Sequence, residues 1–281
     1  MNDAVPAHRP PSIRIEPAAG LSFPDLGEVW RHRELLQFLV WRDVKVRYKQ
    51  TVLGAGWAVL QPLLTMIVFT VVFGRLAKVP SDGLPYPIFA FAGLLPWQMF
   101  AFALTESTNS LVASQAVITK VYFPRLIVPL ASIAVAVVDF AVAFTVLVAM
   151  MAWYGVGLRP AVAFLPLFLG LTILTAIAAG LWLSALNARY RDVRYAVPFL
   201  TQIWLFLSPI AYPASLVPER FRWLYGLNPL AGPVEGFRWA LLGSPAPQPA
   251  MMAVSASVVI GLLAAGLVYF RKTERTIADV I

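Results

Sequence analysis

Residues 187–213 read NARYRDVRYAVPFLTQIWLFLSPIAYP. Three arginines and an aspartate fall within positions 189–194, and nineteen uncharged residues follow, with prolines at 209 and 213. So abrupt a change from ionic to apolar requires two different solvents. The uncharged run approaches the ~20 residues that cross a bilayer core, and arginines at its edge stay hydrated beside anionic headgroups. The stretch predicts a cytoplasmic loop running into a membrane span.

The rest of the chain repeats this pattern. Its 281 residues are 59% hydrophobic and 13% charged, against about 25% charged in an ordinary soluble domain, and the mean hydropathy is +0.74. Uncharged runs cover 50–74, 83–105, 160–188 and 195–218; 126–158 is broken by Asp139 alone, and 250–270 is clean. We expect an all-α integral membrane protein with six transmembrane helices at about 52–73, 88–110, 127–154, 162–186, 196–212 and 250–270. No apolar segment precedes residue 52, so a removable leader is not expected and the N-terminus is assigned to the cytosol.

The formal net charge of +8 is explained by orientation. With both termini inside, sixteen of the 22 Lys and Arg residues are cytoplasmic, and Arg75, Lys78, Arg159, Arg220, Arg222 and Arg238 lie outside. A bias of that size over short loops is a positive-inside signal, so nucleic acid is not an expected partner. The absence of cysteine removes disulfides, a thiolate nucleophile and Cys metal ligands.

Four regions stand apart from the spans. Residues 1–24 are proline-rich and predict a disordered tail. Residues 25–50, DLGEVWRHRELLQFLVWRDVKVRYKQ, place Val29, Leu36, Leu39 and Val40 at helical spacing and predict an amphipathic interfacial helix. Such a helix is either a membrane anchor or a gate that touches substrate phosphate or a partner; Arg42, Lys45 and Arg47 sit where a phosphate headgroup would arrive. Residues 110–130, SLVASQAVITKVYFPRLIVPL, predict a short cytoplasmic helix ended at Pro124. Both it and 189–194 either lie on the bilayer or insert into a soluble partner. Residues 211–250 fit two short re-entrant helices, 218–226 and 233–242, carrying Phe221, Trp223, Tyr225, Phe237 and Trp239; an interfacial aromatic belt is the other reading.

Catalytic chemistry finds little support. A P-loop needs a Gly-Lys pair, which the chain lacks, and its histidines are His8 and His32 alone. The external carboxylates Asp82, Glu219 and Glu235 are scattered, so no catalytic residue and no metal site is assigned. Within the spans, Asp139 is central and Glu106 lies near a boundary; a central carboxylate faces protein or water, in a structural role or in a proton relay. What remains is movement across a membrane with energy supplied from elsewhere.

The stretches VRYKQTVLGAGWAVLQPLLTMIVFTVVFGRL, GLLPWQMFAFALTESTNSLV, the opening loop, the Asn-Pro at 228 and FRKTERTIADVI together resemble the membrane subunit of bacterial polysaccharide ABC exporters. This is the ABC type-2 permease group serving O-antigen, teichoic acid and capsule, and the resemblance runs from about residue 30 to the end. It implies a half-transporter in the bacterial inner membrane, a homodimer bound to two copies of a separate nucleotide-binding ATPase. That subunit would carry ATP and Mg; this chain would hold no cofactor, and the cargo would be a lipid-linked glycan.

By the same resemblance, Ser114, Gln115, Val117, Lys120, Tyr122 and Phe123 fall in an ATPase-coupling helix, with Arg189, Arg191, Asp192 and Arg194 as the second contact. Residues 28–50 match the gate helix. Arg42, Lys45, Arg47, Trp57, Trp204, Tyr212, Trp223, Tyr225, Phe237 and Trp239 are the candidates for the substrate channel or the lipid phosphate. Three alternatives stand beside this expectation: a type-2 exporter of drugs or lipids, a proton-coupled secondary carrier working through Asp139, and a membrane-embedded polysaccharide enzyme.

Overall fold

The computed structural model describes residues 26–49 and 56–280, with side chains through residue 274. The expected tail over 1–24 lies outside the described residues. Those residues form helices and connecting turns, with no strand among them. In chain order the helices are α1 (Leu26–Arg31), α2 (Arg33–Lys49), α3 (Gly56–Phe69, continued by a π-helical Thr70–Leu76), α4 (Tyr86–Ala113), α5 (Gln115–Ile118), α6 (Ile127–Trp153), α7 (Leu165–Arg189, entered through a 3-10 turn at Pro160–Phe164), α8 (Val193–Leu207), α9 (Glu219–Tyr225), α10 (Ala231–Leu242) and α11 (Pro249–Val280).

Five segments are long and apolar enough to cross a bilayer: Gly56–Leu76, Tyr86–Ala113, Ile127–Trp153, Pro160–Arg189 and Pro249–Glu274. The predicted fifth span, 196–212, differs. Its helix, α8, has 15 residues, about 22 Å at 1.5 Å per residue, short of a ~30 Å hydrocarbon core. The cause is local: Pro209 disfavours helical geometry in Ser208, whose backbone is extended at φ −99°, ψ 152°.

α4 is the central post. Its apolar window is 78% buried, against 11% for that of α3, and it packs against α3, α6, α7, α8 and α10. In lipid, where burial brings no hydrophobic gain, such association rests on close packing and interhelical hydrogen bonds. Both occur here. Asn187 on α7 donates to the Thr108 carbonyl of α4 at 2.9 Å, and Phe140, Phe144 and Phe237 interlock from α6 and α10.

These contacts sort the loops to two ends. One end gathers α2, α5, residues 189–194 and the end of the α11 span. Asn187 there meets the last turns of α4, Leu39 shares an apolar cluster with Phe123, Ile127 and Phe270, and Arg125 is bonded by Glu274. The opposite end gathers 77–86, 154–164 and 208–249: Tyr86 donates to the Ala211 carbonyl at 2.7 Å and Ser215 to Asp82 at 2.7 Å. α8 and the 208–211 segment after it run from the first end to the second.

Two local expectations change. The helix predicted to run to Pro124 ends at Ile118; Thr119 turns back onto the Gln115 carbonyl, and the chain continues irregularly so that Phe123 and Pro124 can be buried. The basic segment does carry its apolar side inward, since Val29, Leu36 and Val40 pack with buried Leu39. It does not lie apart from the bundle, however. α2 packs along α6, with Leu39 level with Val128 and Tyr48 reaching Asp139.

Candidate functional site

The central carboxylate finds its partners on α2. Arg47 forms an ion pair with Asp139 at 2.8 Å, and the adjacent Tyr48 donates its hydroxyl to the other carboxylate oxygen. The Arg47 guanidinium also lies 4.0 Å from the centre of the Phe102 ring on α4. Burial, with the Asp139 carboxylate beside it, pushes the Tyr48 phenol well above its ordinary range. This phenol therefore remains a donor through neutral pH, and α2 is fastened at its end to the middle of α6.

Beside that fastening is a cavity of about 390 Å³ between α3, α4, α6 and α8. Arg47, Trp57, Gln61, Gln98, Phe102 and Asp139 line it, and Pro198, Thr201 and Leu205 of α8 close one wall. A second polar space, containing Asp43, Arg47, Glu106 and Ser132, lies between α2, α4 and α6. Of the three basic residues assigned to a lipid phosphate, Arg47 reaches both spaces. Arg42 is held by Asp43 at 2.7 Å, and Lys45 sits 5.0 Å over the exposed Trp41 ring.

The broken end of α8 reaches the second end of the bundle and is capped by side chains gathered there. A helix C-terminus leaves carbonyls without intrahelical donors, and nearly every one here receives a hydroxyl or an amide. Ser208 donates to Trp204, Tyr212 to Phe206, and Tyr225 and Asn228 both to Leu207, at 2.9–3.2 Å. The Trp204 indole in turn donates to Asn228 at 3.0 Å, and its ring packs edge-on against Trp97 and Phe100.

Arg238 on α10 completes the cap. Sequence placed it among the external cations, but its side chain is fully buried. It donates to the carbonyls of Pro209 at 2.5 Å, Ile210 at 2.6 Å and Phe89 at 3.1 Å, and pairs with Glu235 at 3.1 Å. Gly93 makes room for it, because a Cβ there would stand 2.3 Å from the guanidinium. Glu235, counted by sequence as one of three scattered external carboxylates, is thus one half of an enclosed ion pair that spans α10, α4 and the end of α8.

The expected aromatic set does not form one surface. Phe237 is buried in the core against Phe140 and Phe144, because α10 folds into the bundle with most of its residues buried. Trp239 faces Phe164 and Phe168. The hydroxyl oxygens of Tyr225 and Tyr212 approach to 2.9 Å where both point at the end of α8, while Phe221 and Trp223 are exposed. Trp57 lines the cavity, whereas Trp204 packs against Trp97 and Phe100 near the end of α8.

At the first end, Gln115, Lys120 and Tyr122 are exposed, Ser114 and Val117 are half-buried, and Phe123 is buried. Arg189, Arg191, Asp192 and Arg194 are all exposed, with Arg194 donating to the Tyr195 hydroxyl at 2.6 Å. These two groups share one end of the bundle, as a contact surface requires. No His, Asp or Glu cluster able to hold a metal occurs among the described residues.

An apolar helical bundle with five helices long enough to cross a bilayer among the described residues, a cavity reached by Arg47 and Asp139, and a basic, exposed face at one end is the architecture of a multi-pass membrane protein. Residues 34–242 match the ABC-2 type transporter family, and the chain belongs to that family. It is 30% identical over 208 residues to the O-antigen export system permease protein RfbA of Klebsiella pneumoniae, spanning 73% of this chain and 79% of that one. It is 27% identical over 252 residues to the RfbA of Myxococcus xanthus, covering 88% and 96%. The polysialic acid transport protein KpsM of Escherichia coli is 24% identical over 245 residues, covering 85% and 93%.

Proposed function

We propose that this chain is the permease subunit of an ATP-driven exporter that moves lipid-linked polysaccharide across the bacterial inner membrane. Two copies form the conduit, two copies of a separate ATPase hydrolyse ATP with Mg, and both termini face the cytoplasm. α8 together with residues 208–211 supplies the sixth crossing. One observation carries this reading: relatives named for O-antigen and polysialic acid transport align over most of their own length, so the kinship covers the whole transport unit.

The geometry supports the division of labour. The turn at α5 and the 189–194 turn belong to one end of the bundle; α5 packs on α4, α8 packs on α4 and α7, and Asn187 ties α7 to α4, so a push at that end reaches these helices. Arg42, Lys45 and Arg47 lie on α2, which runs from that end to Asp139 at the middle of α6. The drug- or lipid-exporter reading shares this architecture but predicts unaltered surface glycan on deletion. The secondary-carrier reading needs Asp139 to exchange protons, whereas Arg47 and Tyr48 both hold it as an acceptor.

Deletion of the gene in its host is the test. Loss of surface glycan with accumulation of lipid-linked glycan inside the cell, both restored by the wild-type chain, is the expected result. Unaltered surface glycan would contradict the reading.

A further inference from the structure

The 390 Å³ cavity has the lining of a saccharide site. Trp57 offers an apolar face, Gln61 and Gln98 offer amides, and Thr105 and Thr201, whose hydroxyls donate within their own helices, offer acceptor oxygens, which is the mixture that holds a ring with a C–H face and a polar rim. Its single cation, Arg47, already has a carboxylate on it. A purely structural ion pair has no need of such a lining.

We propose that this cavity seats the phosphate-bearing saccharide end of the cargo, and that Arg47 passes from Asp139 to the cargo phosphate when it arrives. This rests on the exporter reading above and assigns the step by which cargo loosens α2. Arg47 and Tyr48 are the two side chains joining the end of α2 to Asp139. A guanidinium satisfies a phosphate as well as a carboxylate, through the same pair of N–H donors. The Phe102 ring beneath it keeps the guanidinium in place during the exchange, and Asp139 retains the Tyr48 hydroxyl afterwards.

The surroundings make the phosphate contact temporary. Asp43, Glu106 and Asp139 all lie around Arg47, and Asp43 is matched by Arg42. Once Arg47 has turned to the phosphate, the Asp139 carboxylate it leaves stands beside that anion and raises its energy. A conduit must release each cargo molecule, and a built-in competitor for Arg47 shortens the stay. Ordinary anionic lipid presents the same phosphate chemistry without the sugar, so the experiment has to separate the two.

Full-length protein in nanodiscs of zwitterionic lipid is titrated with undecaprenyl diphosphate N-acetylglucosamine, with sugar-free undecaprenyl diphosphate, and with phosphatidylglycerol. The chain has no cysteine, so spin labels at Gln37→Cys and Thr119→Cys, both exposed, report the position of α2. Arg47→Gln is expected to weaken both diphosphates roughly tenfold, and Asp139→Asn to tighten both roughly fivefold. Gln98→Leu with Thr201→Val is expected to weaken the sugar-bearing probe alone, by roughly fivefold. The label separation shifts on adding the sugar-bearing probe to wild type, and is already shifted in Asp139→Asn.

A gain of affinity cannot come from misfolding, so the Asp139→Asn arm keeps its meaning if other variants are unstable. Unchanged or weakened diphosphate binding in Asp139→Asn overturns the exchange, as does phosphatidylglycerol binding as tightly as the sugar-bearing probe. Should either occur while gene deletion still abolishes surface glycan, the exchange falls and the exporter reading stands.

Discussion

Two of the ion pairs among the described residues, one within α10 and one between α2 and α6, differ in enclosure. Glu235–Arg238 at one end is sealed: the arginine has no exposed surface and the glutamate side chain retains 7%. Arg47–Asp139 borders a cavity, with 35% and 13% of the side chains exposed. A sealed pair bonded to three backbone carbonyls can only hold, because losing either partner strands a charge in a low-dielectric interior. A pair open to a cavity can trade partners. One region therefore fixes the outer cap on α8, and the other can respond to what enters.

The largest expected effect tests the sealed pair. Arg238→Met strands Glu235 and frees three carbonyls, so it should cost about 3–5 kcal/mol, read as loss of monodisperse protein or a large drop in Tm in detergent. A drop no larger than that of a surface substitution would show the cap on α8 to be ornamental. Phe237→Ala comes next, at about 2–3 kcal/mol. Its packing loss is that of a core cavity, but the transfer contribution is reduced because lipid is as apolar as the core. Gly93→Ala should cost about 1–3 kcal/mol by overpacking, since the new Cβ must displace the Arg238 guanidinium.

Across the comparison, Tyr48→Phe should cost no more than about 1 kcal/mol, the ordinary worth of one hydrogen bond, while increasing the mobility of a label on α2. The same contact predicts a pH effect. The folded phenol has a raised pKa, so its contribution is whole below the ordinary tyrosine value of about 10 and declines as pH climbs beyond it. Label mobility on α2 should therefore rise at strongly alkaline pH in wild type and change less in Tyr48→Phe. Smallest of all, Trp223→Ala should alter stability by less than about 0.5 kcal/mol, because its ring is exposed.

Sequence disclosed what is periodic and hid what is paired at a distance. Long apolar runs placed the five long spans, and proline and glycine punctuation located α9 and α10, whose left-handed Gly243 closes the second. Within 196–212 the apolar run alone did not show that Pro209 stops the helix, leaving the 15-residue α8 and an extended Ser208. Asp139 and Tyr48 are 91 positions apart, and nothing local marks them as partners. Glu235 and Arg238 did leave a trace: opposite charges at i and i+3 on a helix otherwise built of Ala, Gly and large apolar residues. The aromatic residues of that helix point by sequence to an outer surface, whereas α10 folds into the bundle and Phe237 is in the core.

The central claim is that this subunit conducts and another supplies the work. Its most direct test is transfer of undecaprenyl diphosphate-linked glycan across proteoliposomes that contain the chain alone or with the ATPase that co-purifies with it. The account predicts transfer only when both are present and ATP is hydrolysed. Equal transfer by the chain alone, without nucleotide, would contradict it.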